Sequence, residues 1–154
     1  MAESVPTMYE WAGGIEALER LTEAFYREVR KDEMLAPLFA RMSDDHPKHV
    51  AAWLAEVFGG PEVYTKEHGG FKHMLSRHRG RSIKPEQRRR WVELMLDAAD
   101  EVGMPSDPEF RQAFVSYMEW GSRRAMANSQ PGAVSKRETV PIWGWGEAPP
   151  GTLH

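Results

Sequence analysis

The residues best suited to chemistry lie between Gly59 and Trp91. This stretch carries the pair Arg77-His78 on a short predicted helix, and Trp91 follows thirteen residues after His78. We expect the tryptophan to form part of an aromatic wall facing the imidazole, with few other reactive groups nearby. A single imidazole in such surroundings is a candidate iron ligand.

The spacing of the histidines limits other kinds of metal site. Histidines stand at positions 46, 49, 68, 73, 78 and 154. His68, His73 and His78 are five apart, about 140° around a helix, so they do not converge on one face and a three-histidine zinc site is disfavoured. His46 and His49 are about 60° apart, which leaves a two-histidine metal pair open although no third ligand follows at helical spacing. Placement at the surface is the simpler interpretation of most of these side chains.

Composition excludes several classes of function. The chain has 154 residues, the size of one domain, and no cysteine, so thiolate catalysis, disulfides and thiolate-bound metals are excluded. A net charge of −3 gives no overall attraction to nucleic acid or anionic membrane, and we expect neither as a partner. The first residues lack a basic start, and no segment approaches eighteen consecutive apolar residues. We therefore expect a soluble cytoplasmic protein.

The elements that position these residues are predicted to be helical. Apolar residues recur at three- and four-residue steps over most of the chain, and no alternating strand-like segment competes with them. In the first half of the chain, the pattern predicts a helical turn at 7–11, a helix over 15–29 and a short helical piece at 34–39 capped by Asp32. A helix capped by Ser43 or Asp44 follows and ends at Gly59. Long helices are predicted to begin at Pro85 and Pro108.

Two segments lack a clear period. Residues 61–84 contain several glycines and prolines and are predicted to be mostly loop, with one short helix around Phe71 to Arg77. From residue 129 the composition shifts to Ser, Pro and Gly with two tryptophans, which predicts an irregular extension over 129–154. We expect Trp143 and Trp145 to dock on the body because exposed indoles are unfavourable.

The order of these features resembles the truncated haemoglobins, and specifically their second group. The resemblance runs from about Met8 to Ser129 and rests on Gly13-Gly14, Phe25-Tyr26, Phe39, Gly59-Gly60-Pro61 with Tyr64, Arg77-His78 and Trp91. It implies an all-α, two-over-two globin domain over residues 1–128 that encloses haem b. The residues after Ser129 lie outside it.

The resemblance also implies roles for residues on both sides of the haem. It makes His78 the proximal iron ligand and Phe39 the aromatic that stacks on the haem. It places Tyr26, His46, Val50 and Trp91 on the distal side, where all but the valine carry donors for bound dioxygen. Without the resemblance, Tyr26 and Trp91 would be interpreted as core residues, since both fall on apolar stripes.

Further residues match family positions at the edge of the haem. His49, Tyr64 and Arg77 match the positions of propionate partners, and Trp53, Met74 and Ile83 match apolar haem contacts. Arg81 lies in the loop that departs from the family and would add a propionate contact. His46 has three open roles: to donate to the ligand, to gate its entry, or to bind the iron when no ligand is present. The chain departs from the family in reading Arg79-Gly80-Arg81 where relatives often have Ala-Pro-Phe.

The implied activity is reversible binding of dioxygen and other diatomic ligands, as in oxygen transport, storage or sensing. The alternative is an enzyme, either a nitric oxide dioxygenase or a peroxidase-type detoxifying enzyme, which would need a reductase partner or an oxidisable substrate. A haem-free helical interaction module is the third class. A homodimer is a further open expectation.

Overall fold

The computed structural model describes residues 4–151, and this part of the chain contains helices and no strand. The helices are α1 (Met8–Ala12), α2 (Gly14–Lys31), a 3-10 helix (Ala36–Phe39), α3 (His46–Val57), α4 (Val63–Glu67), α5 (Gly70–His78), α6 (Pro85–Glu101) and α7 (Pro108–Asn128). The predicted all-α class is confirmed. Within residues 4–151 no helix has the length and apolar character needed to span a membrane.

Local sequence signals explain the first change of direction. Thr7 caps α1 through its side chain, and Glu10 returns a bond to the Thr7 backbone in a capping box. Gly13 then adopts φ 107°, a left-handed conformation that favours glycine, and its N–H bonds the Glu10 carbonyl at 3.1 Å. The chain therefore leaves α1 and enters α2 without a loop.

The helices pack as two crossed pairs. Helix α2 lies against α3 and against α6, and α6 lies against α7. Four phenylalanines from these helices and the end of α3 are fully buried at the centre: Phe25, Phe58, Phe110 and Phe114. Because α2 contacts both α3 and α6, some residues on its inner face lie in the core and others can border a space between the helices.

Two local predictions need correction. The short helix predicted around Phe71 to Arg77 is present as α5, but residues 61–84 are not mostly loop, because α5 and the unpredicted α4 together occupy much of this segment. The helix after residue 43 is not capped by Ser43 or Asp44: Asp45 precedes it and makes no side-chain cap, while the His46 N–H bonds the Ser43 carbonyl at 3.1 Å. A backbone turn over residues 43–46 thus precedes α3 in place of the predicted side-chain cap.

A glycine at the end of α3 allows a close approach of two segments. A β-carbon at Gly60 would lie 2.6 Å from Tyr9 Cγ and 2.9 Å from the Ala55 carbonyl oxygen. The Tyr9 N–H donates to the Phe58 carbonyl at 2.9 Å, so the end of α3 and the start of α1 are joined here. The Gly59-Gly60 pair therefore serves close packing as well as helix termination.

Asp32 fixes the connection that carries Phe39. One carboxylate oxygen accepts from the Leu35 N–H at 3.1 Å and caps the turn that leads into the 3-10 helix, whose own N-cap residue is Leu35. The other oxygen binds Arg90 Nε of α6 at 2.8 Å. Burial alone would raise the pKa of Asp32, but the hydrogen bonds from Arg90 and the backbone hold that pKa below its ordinary value of 3.8. The ionised carboxylate thus ties the 3-10 helix to α6.

We expect Asp32→Ala to lower the free energy of unfolding by about 1–2 kcal/mol at pH 7, because both the cap and the partly exposed ion pair are lost. A lowered folded pKa stabilises the fold above pH 3.8 and loses this effect as pH falls through the folded value. The difference between variant and wild type should therefore shrink in acid. Urea unfolding at several pH values measures it. The exposed Asp97→Ala control should change stability by less than about 0.5 kcal/mol.

The segment after α7 docks on the helices through its two tryptophans, as expected. The Trp143 N–H donates to the Val57 carbonyl at 2.6 Å and its indole donates to the Ala113 carbonyl at 3.1 Å. The Trp145 indole donates to the Pro6 carbonyl at 2.7 Å. The predicted extension also includes residues 152–154, which lie outside the described residues. The division of the chain at residue 128 stays a prediction.

Candidate cofactor pocket

A cavity of about 800 Å³ lies between the helix pairs, within the size range of cofactor sites. It is bounded by residues of α2, the 3-10 helix, α3, α4, α5, α6 and α7. Every site residue selected from the sequence lines it: Tyr26, Phe39, His46, His49, Val50, Trp53, Tyr64, Met74, Arg77, His78, Arg81, Ile83 and Trp91. Residues 65 positions apart in sequence are therefore brought around one space.

His78 is the last residue of α5. It lines the cavity together with the apolar side chains of Phe71 and Met74 from the same helix. Burial lowers the pKa of His78. A hydrogen bond to the Met74 backbone raises that pKa, and the positive charge of Arg81 lowers it. A neutral imidazole keeps one nitrogen with a free lone pair. A backbone hydrogen bond at the other nitrogen is the arrangement that orients metal-binding histidines.

Tyr26 and His46 form a hydrogen-bonded pair elsewhere in the lining, with 3.0 Å between the phenol oxygen and Nε2. Burial raises the pKa of Tyr26 well above its usual range, so the phenol stays protonated. Burial, followed by the charge of Arg77, lowers the pKa of His46 to about 4, so this imidazole is neutral at pH 7. Phe39 packs its ring against Tyr26 at 5.6 Å between centroids.

The pair can exist in two arrangements, because only one proton lies between the two atoms. If the phenol donates, Nε2 of His46 is the acceptor. If His46 carries its proton on Nε2, the imidazole donates and the Tyr26 O–H is free to donate into the cavity. His46 can thus control which way the phenol proton points.

Trp91 supplies a second available donor. Its ring stands edge-to-face on Phe25 at 5.2 Å, and its indole N–H has no hydrogen-bond partner within residues 4–151. Trp53 lines the same cavity, but its indole donates to the Tyr117 hydroxyl at 2.8 Å. Of these two tryptophans, only Trp91 therefore retains a free N–H at the cavity.

The edge of the cavity is rich in imidazole and guanidinium groups. His49 packs against His68 with 4.4 Å between ring centroids, and the pKa of His49 is lowered by burial and then by the nearby His68. Burial raises the pKa of Tyr64 to about 12, so it stays a neutral hydroxyl. The Arg81 guanidinium donates to the carbonyls of Arg77 and Leu38, which ties the loop after His78 to the 3-10 helix.

Many lining residues were not selected from the sequence. They include Leu35, Leu38, Met42, Leu54, His68, Phe71, His73, Met95, Tyr117, Met118, Gly121, Ser122 and Ala125. Several of them fall on apolar stripes that the sequence shows clearly, but a stripe does not distinguish a cavity wall from a packed core. The α7 residues close the side that the selected residues leave open.

These groups fit a planar cofactor that brings its own nitrogen ligands and two carboxylates. The lining is mostly apolar and aromatic, one neutral imidazole can complete the coordination of a metal, and cationic and hydroxyl groups can meet the carboxylates. His78 would bind the iron, Phe39 and Trp53 would contact the ring, and Arg77 would contact a carboxylate. Haem requires this combination of side chains.

The helix arrangement and this pocket define a globin. The family model described as bacterial-like globin matches residues 7–121. The group 2 truncated hemoglobin YjbI of Bacillus subtilis is 30% identical over 130 residues, which cover 84% of this chain and 96% of that protein. The chain belongs to the bacterial-like globin family, and within it to the group II truncated haemoglobins, which bind haem.

Solved structures agree with this assignment. The group II truncated hemoglobin from Bacillus anthracis superposes with a TM-score of 0.73 at 26% identity, covering 86% of this chain and all of that one. The truncated oxygen-avid haemoglobin from Bacillus subtilis gives 0.69 at 30% identity, covering 78% and 98%. The predicted two-over-two fold is confirmed.

Proposed function

We propose that this protein binds dioxygen and other diatomic ligands at a haem held by His78, with hydrogen bonds from the distal residues Tyr26, His46 and Trp91. The observation that carries the proposal is the cavity itself. It combines one neutral imidazole at the end of α5 with a phenol–imidazole pair and a free indole N–H in an otherwise largely apolar lining.

His78 would hold the haem iron through its imidazole. Its lowered pKa keeps the imidazole unprotonated at neutral pH, and the Met74 backbone fixes its orientation. Bound haem supplies a ferrous iron that takes up a diatomic ligand reversibly. Val50, Leu54 and Met95 keep the surrounding space dry, which strengthens hydrogen bonds formed there.

The distal donors hold the ligand. The Tyr26 O–H and Trp91 N–H can donate to a dioxygen ligand, whose outer oxygen would carry partial negative charge. Each bond to a charged acceptor contributes about 1.5–3 kcal/mol. His46 accepts from or donates to Tyr26 and so orients the phenol proton. This role differs from the three left open by the sequence, and through it His46 acts on the ligand by way of Tyr26.

An absorption spectrum of the purified protein tests the proposal, recorded as isolated, after reduction, and with oxygen or carbon monoxide. We expect about one haem per chain and a stable oxygenated form. A colourless protein that does not bind added hemin would show that the cavity is not a haem site. A haem protein that oxidises at once in air would reject the distal assignment.

Other predictions from the sequence have no specific support in the geometry. They are the nitric oxide dioxygenase or peroxidase activity, oxygen transport, the reductase partner, the homodimer and the cytoplasmic location. All of them stay predictions.

A further inference from the structure

Positive charge is concentrated in the segment that forms one wall of the pocket. From Val63 to Lys84 the chain has six lysines and arginines against one glutamate, a net charge of +5. The whole chain carries −3, so the remaining residues carry −8 together. The charge distribution is therefore strongly asymmetric, although the net charge of the whole chain is small.

All six of these cations are exposed and free of ion pairs within residues 4–151, and three of them lie away from the residues selected for the pocket. Lys66 lies in the last turn of α4, Lys72 in α5, and Arg79 directly after His78. Some exposed cations elsewhere, such as Arg27 and Arg123, are paired with carboxylates, whereas others, such as Arg20 and Arg89, are not. We call Lys66, Lys72 and Arg79 the basic face. None of its three cations forms an ion pair in the described part of the chain, and Glu67 is the single acidic residue between Val63 and Lys84.

The same sign of charge reaches into the pocket. After burial, the permanent positive charges that depress the pKa of His46 are those of Arg77 and Arg30. Haem propionates would offset part of this charge at Arg77. The basic face lies outside that position and keeps its charge when the cofactor is bound.

We propose that the basic face is the docking surface for an acidic electron-donor protein that reduces the haem iron. This inference rests on the proposed function and adds the partner's chemistry to it. The charge complements an acidic surface, and docking on α4 and α5 brings the donor beside the wall that carries His78. One electron passes from the donor to ferric iron, which becomes ferrous while the donor is oxidised. No atom or proton is transferred.

The test uses the haem-loaded protein and reduced plant-type [2Fe–2S] ferredoxin as an acidic probe. Lys66→Glu/Lys72→Glu is compared with Arg20→Glu/Arg89→Glu, which makes the same charge change at exposed positions of α2 and α6. At low ionic strength, we expect the basic-face variant to be reduced at least about tenfold more slowly, and the control to stay within about twofold of wild type. The difference should shrink at high salt.

Two further measurements separate docking from damage to the site. Reduced lumiflavin, a small reductant without a docking surface, should reduce all three proteins equally. Calorimetry with oxidised ferredoxin should show an affinity at least about tenfold weaker for the basic-face variant alone. Lys66→Gln/Lys72→Gln should give a smaller loss in the same direction, which guards against misfolding of the charge-reversed protein.

Equal rates in all proteins, or equal slowing in both charge-reversed variants, would overturn the proposal. So would loss of binding to anionic lipid vesicles or duplex DNA in the basic-face variant with unchanged reduction by ferredoxin. Failure of the proposed function looks different, because the wild-type protein would then take up no haem or form no oxygenated state.

Discussion

His78→Ala is expected to release haem at least about 100-fold faster than the wild-type protein. The substitution removes the imidazole that completes iron coordination, and a bond contributing about 3 kcal/mol to haem retention corresponds to about two decades in the dissociation constant. Transfer of haem to an excess of apomyoglobin measures the rate. Added free imidazole should enter the vacated position and restore a wild-type-like ferrous spectrum.

His73→Ala is the matched control: His73 also borders the pocket, but it lies five residues earlier on the same helix and its side chain is exposed. It should keep its haem and its ferrous spectrum. A His78→Ala protein whose ferrous spectrum and haem release match those of wild type would show that another residue binds the iron.

The second large effect concerns ligand release. Tyr26→Phe and Trp91→Leu should each speed oxygen dissociation by about 10- to 150-fold, and the double variant by roughly two to four decades. Each substitution removes one donor of about 1.5–3 kcal/mol while leaving the apolar contacts of the ring or a comparable side chain. Stopped-flow replacement of oxygen by carbon monoxide measures the dissociation rate.

Tyr9→Phe and Trp143→Leu are the controls for this series. The Tyr9 hydroxyl accepts from the Ile15 N–H, and the Trp143 indole donates to Ala113, and neither residue lines the pocket. Both should release oxygen within about threefold of the wild-type rate. If the Tyr26 and Trp91 variants and their double mutant also stay in that range, these donors do not hold the ligand.

The sequence predicted the long helices and the set of residues around the pocket. Apolar periodicity is strong in α2, α6 and α7, and Pro85 and Pro108 mark helix starts. The ordered series from Gly13 to Trp91 led to thirteen positions that all line one cavity. Their individual roles as ligand, donor or propionate partner stay predictions.

The prediction failed where helices are short. The short helix predicted around Phe71 to Arg77 is present as α5, but α4, with five residues, is too short for a clear period and was missed. Gly69 and Gly70 stand at positive φ between the two helices. Glycines in such numbers favour loop by local rules. Contacts of α4 with α3, and of α5 with α7, supply the stability that local sequence does not show.

Partnerships between distant side chains also escape sequence reasoning. The Tyr26–His46 bond joins residues twenty apart, and it depends on where α3 begins. The contrast between Trp53 and Trp91 depends on the Tyr117 hydroxyl, which only the packing of α7 brings within reach. A sequence gives the donor types, whereas the fold decides which donors remain free.

The docked segment after α7 makes a separate unit of local opening. The Trp145 indole binds the Pro6 carbonyl just before α1, and the four buried phenylalanines lie outside this segment, so we expect its release to break its own contacts and to leave the phenylalanines in place. In native-state hydrogen exchange, the free energy of opening should therefore be lower for the Trp143 amide than for amides in the middle of α6. On heating, the indole fluorescence of Trp143 and Trp145 should change before helical circular dichroism is lost.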